Sequence, residues 1–535
     1  MSGLLNKLQA NICLLAVTIC WSFEVVLLSI LPEGINPFAM TCTTSLIGAM
    51  FLVLCFARRI ASAIRSDGSK IVRRIAFLSL LSASYNVLIE MGLDYFDVST
   101  GAFTMSMVVV ILPVMLLVMR RGVTARTWIS ALLVLIGVVI ATLPVYKTIH
   151  PMGLATILSS CILRALFIVK LSDYAQDHDP ITLAAGISSF KAVFTFVPWF
   201  IMHPSTFLGL PWSPDLIAVF VIYSYFIVAF ATVLNAFGQR RASPAQATII
   251  FATEIVFTIT WAACLPNYIV GYVEITPFVI AGCAFIVLGN VVEALPAWRE
   301  SESEADEDMT DAAWNSFVAK SGSSASKTSL FHSSSADLVT QILARLNSPM
   351  ARKVALFLIL LAIYLVISLP FKVLSIIPGF SDLRPVCMLQ PVYGIFFGIP
   401  GCLAFAVGNV ISDILSDSLR WTSIAGFIGN FAFPYLMYLY WTKIRKKPFH
   451  LRTGRMVIKM IISIVCCALV ESLIICPAVA FVYPEVDIAL FTATVLTNLT
   501  VFSIVFAIPF IILIQEELGF TPLSPKQSEV ESSTV

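Results

Sequence analysis

The sequence predicts an all-α integral membrane protein in two parts: a ten-helix domain built as an inverted repeat (5+5), and a six-helix membrane module. Three observations carry this reading. The 535 residues are 59% hydrophobic and only 12% charged, whereas soluble domains carry about 25% charged residues. Apolar segments of roughly 18 to 25 residues recur along the chain, each long enough to cross about 30 Å of hydrocarbon. Cationic side chains fall in alternate loops, the pattern of a chain threaded repeatedly through a bilayer. A mean hydropathy of +0.93 leaves lipid as the solvent for most of the surface.

The first ten spans are placed near 10–29, 36–56, 74–93, 99–119, 127–144, 152–170, 182–202, 215–237, 243–264 and 275–295. Six more lie near 353–373, 384–397, 400–416, 421–441, 456–482 and 487–514. The first apolar run is too long for a signal-peptide core and has no small-residue cleavage site after it, so it is read as a retained helix. The domain boundaries follow. Residues 1–298 form the ten-helix domain, with repeats near 8–145 and 151–296. Residues 299–350 form a linker, 351–518 the six-helix module and 519–535 a tail.

The linker has its own composition. Glu300 to Asp308 is an acidic run and Ser321 to Ser335 is Ser-rich, which favours disorder over a packed core. After it, Leu338, Ile342, Leu343 and Leu346 share one helical face, suited to a membrane surface or to a helical leader.

Loop charges set the orientation. Arg58, Arg59, Arg65, Lys70, Arg73 and Arg74 share one side with Arg120, Arg121, Arg126, Arg240 and Arg241. Arg352, Lys353, Lys443, Arg445, Lys446, Lys447, Arg452 and Arg455 join them. The opposite loops hold only Lys147 and Arg384. The expectation is a plasma-membrane protein with both termini, the linker and the tail in the cytoplasm. The stretch Asp173–Asp179 is the exception, acidic where the pattern asks for cations.

Composition also excludes classes. A net charge of +2 makes no field for nucleic acid. The twelve cysteines show no C-x-x-C pair and no zinc spacing, so they are read as small apolar groups and no metal or cofactor is expected. Cys466 and Cys467 are adjacent and face different sides of a helix. No G-x-x-x-x-G-K-[ST] loop and no H-E-x-x-H occur, so the chain is not read as an enzyme. The five histidines (His150, His178, His203, His332, His450) lie in loops or at span ends, where a lone histidine is expected to be solvent-exposed and idle.

Two segments echo each other at a constant offset. Thr100-Gly-Ala-Phe-Thr-Met-Ser with Leu112-Pro113-Val114 lies opposite Ala242-Ser-Pro-Ala-Gln-Ala-Thr with Glu254-Ile255-Val256. At a slightly larger offset, Ser130 and Gly137 match Gly282 and Gly289. Five spans per repeat would invert the halves in the membrane, the arrangement of alternating-access carriers with a site near the midplane.

With Trp21-Ser-Phe in the first span, these pieces resemble the EamA-type drug/metabolite transporter superfamily over about residues 8–298. The resemblance implies ten helices and transport of metabolites, amino acids, nucleotide-like solutes or drugs. The family's Glu-Pro pair is split here: the fourth span keeps Pro113 and the ninth keeps Glu254.

The second module carries Leu383-Arg384-Pro385, Gly394-Ile-Phe-Phe-Gly398-Ile-Pro-Gly401, Gly408-Asn409, Asp413 and Gly426-Phe-Ile-Gly429-Asn430-Phe431. In this order they resemble the substrate-binding S component (QueT-like) of energy-coupling-factor transporters, over about residues 351–518. That resemblance implies a vitamin-type ligand and an ATPase energising module as partner.

A charge at the bilayer centre costs about 2.5 to 3.5 kcal/mol on insertion scales, so each one needs a reason. In the first domain Glu24, Glu90, Arg164, Lys191 and Glu254 are the deep ionisable groups. Glu24 and Glu254 either line a solute path or pair with Arg164 or Lys191. A carboxylic acid among apolar groups gains from holding a proton, which makes both candidates for proton coupling. Trp21 and Trp261 are placed to stack on a planar solute or to pack as interfacial aromatics. Glu90, Asn290 and Glu293 are assigned to the interface. In the second module Arg384, Asn409, Asp413, Asn430, Glu471 and Asn498 are the polar groups, with Arg384, Asn430 and Glu471 chosen as ligand contacts.

The expected substrate-binding set is thus Trp21, Glu24, Arg164, Lys191, Glu254, Arg384, Asn430 and Glu471. The expected function is secondary active transport of a small organic metabolite. The alternatives are a receptor subunit of an ATP-driven importer and a non-transporting scaffold or sensor. Expected partners are a small solute, the lipid bilayer, an ATPase module for the second domain and a second copy of the chain as homodimer, with no nucleic acid.

Overall fold

The computed structural model describes residues 7–24, 26–27, 35–93, 95, 104–142, 150–202, 206, 213–264, 276–303, 348–377, 380–445, 449–520 and 522–523. The acidic and Ser-rich linker, its amphipathic stretch and the tail beyond 523 lie outside these residues. Secondary structure among the described residues is helical, apart from one two-stranded ribbon. Nine helices among them are long and apolar enough to cross a membrane. The chain is an all-α, multi-pass integral membrane protein. It divides into two compact units, Leu5–Glu300 and Ser301–Val535.

The first unit begins with α1 (Lys7–Ser22) and α2 (Pro37–Leu93). The sequence reading placed two spans, 36–56 and 74–93, with a basic loop between them; α2 is broken at the end of the first span and again before the second, and the basic stretch between them is itself helical. Its backbone breaks only at Phe56 (φ −127°, ψ 22°) and Gly68 (φ 59°, ψ −141°). Arg, Ala and Lys between the spans are good helix formers, so a charged stretch does not by itself end a helix. Gly68 supplies a positive φ that other residues resist.

Then follow α3 (Val108–Val118), α4 (Ala125–Thr142), α5 (Pro151–Asp177) and α6 (Pro180–Met202). The next span is α7 (Pro214–Ile222), a π-helical stretch Tyr223–Phe230 and α8 (Ala231–Gln239). The expected ninth span is divided into α9 (Pro244–Phe251) and α10 (Glu254–Cys264). The last helix is α11 (Pro277–Ser303).

Serine-proline pairs start two of these helices. Ser213 Oγ accepts from Leu216 N at 3.1 Å and Ser243 Oγ from Gln246 N at 3.2 Å, each with proline next. The hydroxyl satisfies an orphan N–H and the proline gives none up.

α2 packs along α5 and α6, and α1 packs on α8, α9 and α10. α4 and α11 cross at small residues. A Cβ on Gly137 would lie 2.6 Å from the Gly282 carbonyl oxygen, and one on Gly282 would lie 2.5 Å from that of Gly137. A Cβ on Gly289 would lie 2.8 Å from the Ser130 carbonyl. Small residues let membrane helices approach this closely.

The acidic exception among the loops is resolved by pairing. Arg59 and Asp179, each 5% exposed, form a buried ion pair through Nε at 3.0 Å and through Nη2. Asp179 Oδ2 also accepts from Thr182 N at 2.9 Å, capping α6. Arg121 grips Asp173 with two bonds of 2.8 Å, and Arg74 reaches Asp177 at 2.6 Å. The acids therefore neutralise cations from α2 and from the loop after α3. His178 is buried between Asp67 and Arg74, against the expectation of an exposed histidine.

The second unit opens with α12 (Pro349–Ser368), a 3-10 turn (Leu369–Val373) and strands β1 (Ser375–Ile377) and β2 (Ser381–Asp382), paired antiparallel. The expected span at 384–397 is a composite. A 3-10 turn (Pro385–Met388) leads into α13 (Leu389–Val392) and a π-helical turn (Tyr393–Phe397). It ends at Gly398, whose φ of 56° separates it from α14 (Gly398–Leu415).

α15 (Ser423–Tyr438) runs into π-helical Leu439–Ile444 and is followed by α16 (Gly454–Val482). Next comes α17 (Ile488–Thr497), joined by π-helical Asn498–Ala507 to α18 (Ile508–Glu516). α14 packs on α12 and α15, and α15 on α16. Its core holds Tyr364 and Tyr393 edge-on to Phe405, with centroids 4.8 and 6.1 Å away. Cys466 is exposed and Cys467 buried, as neighbouring helical positions require.

His450 is the other histidine that departs from expectation. Burial, with Arg445 and Arg452 beside it, pushes its imidazole down to about 4. Its Nδ1 is buried without a hydrogen-bond partner among the described residues.

Candidate functional site

Each expected polar residue of the first unit sits on a different helical segment, and the fold draws them together. Arg164 lies near the middle of α5 and Lys191 near the middle of α6. Glu254 opens α10, just beyond the break after α9. That break frees backbone N–H groups at the start of α10, where a carboxylate is favoured. Trp21 and Glu24 stand at the end of α1 and just past it.

Glu254 Oε2 accepts from Arg164 Nη2 at 3.1 Å. The Arg164 guanidinium lies 5.0 Å over the Trp21 ring, which tilts against Phe251 at 4.9 Å. The cation is therefore held by a charge on one side and a π face on another. Glu24 accepts a hydrogen bond from the Tyr223 hydroxyl, the first residue of the π-helical stretch in the α7–α8 span. A π-helical insertion rotates the residues around it, and such insertions are frequent at functional sites.

Glu90, on α2, accepts from Thr41 Oγ1 at 2.9 Å. Lys191 has Glu24 and Glu90 as its electrostatic neighbours. Glu24 in turn has Glu254, Arg164 and Lys191. One cluster thus unites Trp21, Glu24, Arg164, Lys191 and Glu254. Trp21, Glu24, Glu90 and Glu254 are only half-buried, although their segments pack inside the bundle.

Of the sequence pairings considered, Glu254 with Arg164 is present, while Glu24 turns to Tyr223. Trp261 is buried and donates from Nε1 to Ser22 Oγ at 3.0 Å, a packing role. Glu293, assigned to the interface, is buried at 4% exposure, bonded by Thr127 Oγ1 at 3.3 Å with Arg126 3.7 Å away. Asn290 donates to the Ile286 carbonyl of its own helix.

Sequence reasoning missed Tyr223 and Tyr85, another electrostatic neighbour of Arg164 and Glu24. The available signal was a phenol inside an apolar span, which needs a polar partner when buried.

In the second unit Arg384 is the hub. Its Nη1 donates to Asn409 Oδ1 at 2.9 Å and its Nη2 lies 3.6 Å from Asp413. Lys372 Nζ bridges Asp413 and Asp382, each at 3.1 Å. The Arg384 backbone N–H donates to Asn498 Oδ1 at 3.0 Å, and Asn498 donates to the Asp382 carbonyl at 2.8 Å. Ser368, Phe371, Lys372 and Arg384 line a crevice here that has no room for a water molecule.

Glu471, 1% exposed, accepts from Gln390 Nε2 at 2.9 Å. Asn430 spends its amide on the Gly426 carbonyl of its own helix, at 2.7 Å. The expected contact pair is adjacent through Gly429, where a Cβ would touch Glu471 Cγ at 3.0 Å. No hydrogen bond between the two is among those of the described residues.

No curated protein matches the chain. One solved structure, described only as the crystal structure of a protein, aligns over 55% of this chain and 96% of its own. It does so at 17% identity with a TM-score of 0.40. The sequence resemblance read to residue 298 is met over a shorter range. Residues 8–143, about a quarter of the chain, match the model of the EamA-like transporter family, and they hold Trp21, Glu24 and Glu90.

Proposed function

We propose that the first unit moves a small organic metabolite across a plasma membrane by secondary active transport, with both chain termini cytoplasmic. One observation carries the reading: Trp21, Glu24, Arg164, Lys191 and Glu254 converge from four separate segments into one half-open polar cluster inside an apolar bundle. Ionisable groups there are costly, and marking a solute path is their usual reason. The match of residues 8–143 to a family of transporters supports it.

Alternating access between halves near 8–145 and 151–296 is supported by the α4–α11 crossing. Gly137 meets Gly282, and Ser130 meets Gly289. Exchanging each residue for its repeat counterpart turns one contact into the other, as a pseudo-two-fold axis requires. Glu24 and Glu254 are the proton-carrying candidates. Glu24 is held by the Tyr223 hydroxyl and Glu254 by the Arg164 guanidinium, contacts that a moving half can withdraw.

The test is solute flux in proteoliposomes containing only the full chain, with a metabolite mixture inside and an imposed proton gradient. Gradient-dependent movement of a particular solute is the expected result. No movement of any solute overturns it.

A second reading concerns the second unit, as the substrate-binding subunit of an ATP-driven importer. The polar network of Arg384, Asn409 and Asp413, with the buried Glu471–Gln390 pair, favours it, since such groups inside a membrane module mark a ligand path. It expects an ATPase pair to co-purify from membrane extracts, and weaker binding of the captured ligand by Asn430→Ala and Glu471→Ala. Unchanged affinity in both variants removes those two residues from the site.

A further inference from the structure

Lys191 is the exception in the cluster. It sits mid-helix in α6 with 8% of its surface accessible. Its ammonium makes no hydrogen bond and no ion pair among the described residues, whereas its charged companions are each engaged. Arg164 has Glu254 and the Trp21 ring. Glu24 has Tyr223, and Glu90 has Thr41. Both carboxylates lie within electrostatic reach of the ammonium, yet neither lies within ion-pair distance. An ammonium on a largely buried side chain without a hydrogen-bonding partner is costly, so its position asks for a group that arrives later.

We infer that Lys191 is the docking post for a carboxylate carried by the transported solute, and that the cargo of the first unit is an organic carboxylate. The inference rests on the transport reading and adds the cargo's chemistry to it. A carboxylate suits the ammonium because it brings acceptor oxygens and one negative charge. A phosphate dianion fits less well. Three carboxylates (Glu24, Glu90, Glu254) already face two cations (Arg164, Lys191), so a doubly charged group meets more repulsion. The rest of the solute would lie toward Trp21 and Tyr85, both half-buried and both neighbours of Arg164.

The experiment loads proteoliposomes of the full chain with a metabolite mixture and identifies by mass spectrometry the solutes that move. They are sorted by whether they carry a carboxylate. Expected are carboxylate-bearing solutes, moved at least tenfold more slowly by Lys191→Gln and at a substantial fraction of the wild-type rate by Lys191→Arg. Movement only of solutes without a carboxylate overturns the inference and leaves the transport reading standing. So does a Lys191→Gln chain that moves its carboxylate solute at the wild-type rate. A wild-type chain that moves nothing overturns both.

Thermal unfolding in detergent separates binding from structure. Lys191→Met removes a largely buried charge that makes no hydrogen bond or ion pair among the described residues, so its unfolding temperature should equal or exceed that of the wild type. A clear drop assigns Lys191 to a structural ion pair and overturns the inference.

Discussion

Gly137 and Gly282 press backbone against backbone where α4 crosses α11. A Cβ on either would come within 2.6 Å of the other's carbonyl oxygen. No rotamer relieves a Cβ clash with a carbonyl, so the helices must part. Gly282→Leu is therefore expected to destabilise the first unit by about 1–3 kcal/mol. Gly122→Ala, where nothing lies within 4 Å of the added carbon, should be nearly neutral. Thermal unfolding of both in detergent checks this, and equal stability would show that the crossing tolerates separation.

The Arg59–Asp179 pair is buried on both sides. Removing one partner strands a charge, at a cost of about 3–5 kcal/mol. Arg59→Ala should approach that loss. Asp179→Asn should lose less, because the amide oxygen can still cap α6 at Thr182. The ranking, read from chemical unfolding, is the measurement. Wild-type stability in Arg59→Ala would mean that solvent already reaches the pair.

Glu254→Gln removes the charge that holds Arg164. If Glu254 carries the proton, this variant should exchange solute across the membrane but no longer follow an imposed pH gradient. Glu24→Gln tests the other candidate in the same way. A variant that keeps the wild-type response to the gradient excludes that residue as the carrier.

His450 makes the second unit sensitive to acid. Its folded-state value of about 4 lies below that of an unfolded histidine, about 6.5. The unfolded chain therefore binds the proton more readily. The stabilisation is fully present above pH 6.5 and declines as the pH falls toward 4. His450→Phe should flatten that part of the stability curve. An unchanged slope between pH 6.5 and 4 in the variant would assign the sensitivity to other groups.

The sequence already told how much of this chain is membrane-embedded helix, because hydrocarbon demands long apolar runs whatever the fold. It also singled out residues that the fold brings into one cluster. Trp21, Glu24, Arg164, Lys191 and Glu254 stood out because a polar group in such a run needs a reason. It divided spans near Phe56 and Gly398, where the backbone breaks, but did not foresee the helical basic stretch after Phe56 or the break between Phe251 and Glu254 inside the ninth span. Helix breaks depend on single backbone angles that average hydropathy does not register. It also placed His178 and His450 in water, since loop position says nothing of what packs over a loop.

Only the tertiary structure decided partners. That Glu254 takes Arg164, that Glu24 takes Tyr223, and that the Lys191 ammonium has no hydrogen-bonding partner among the described residues follow from distances between helices far apart in the chain. The acidic stretch Asp173–Asp179 looked like an exception while loops were counted one at a time. In the fold its acids meet Arg59, Arg74 and Arg121. Hydropathy is a property of each segment alone, and so it is legible along the chain. Charge pairing acts over a few ångströms in space, which only the packed helices bring about.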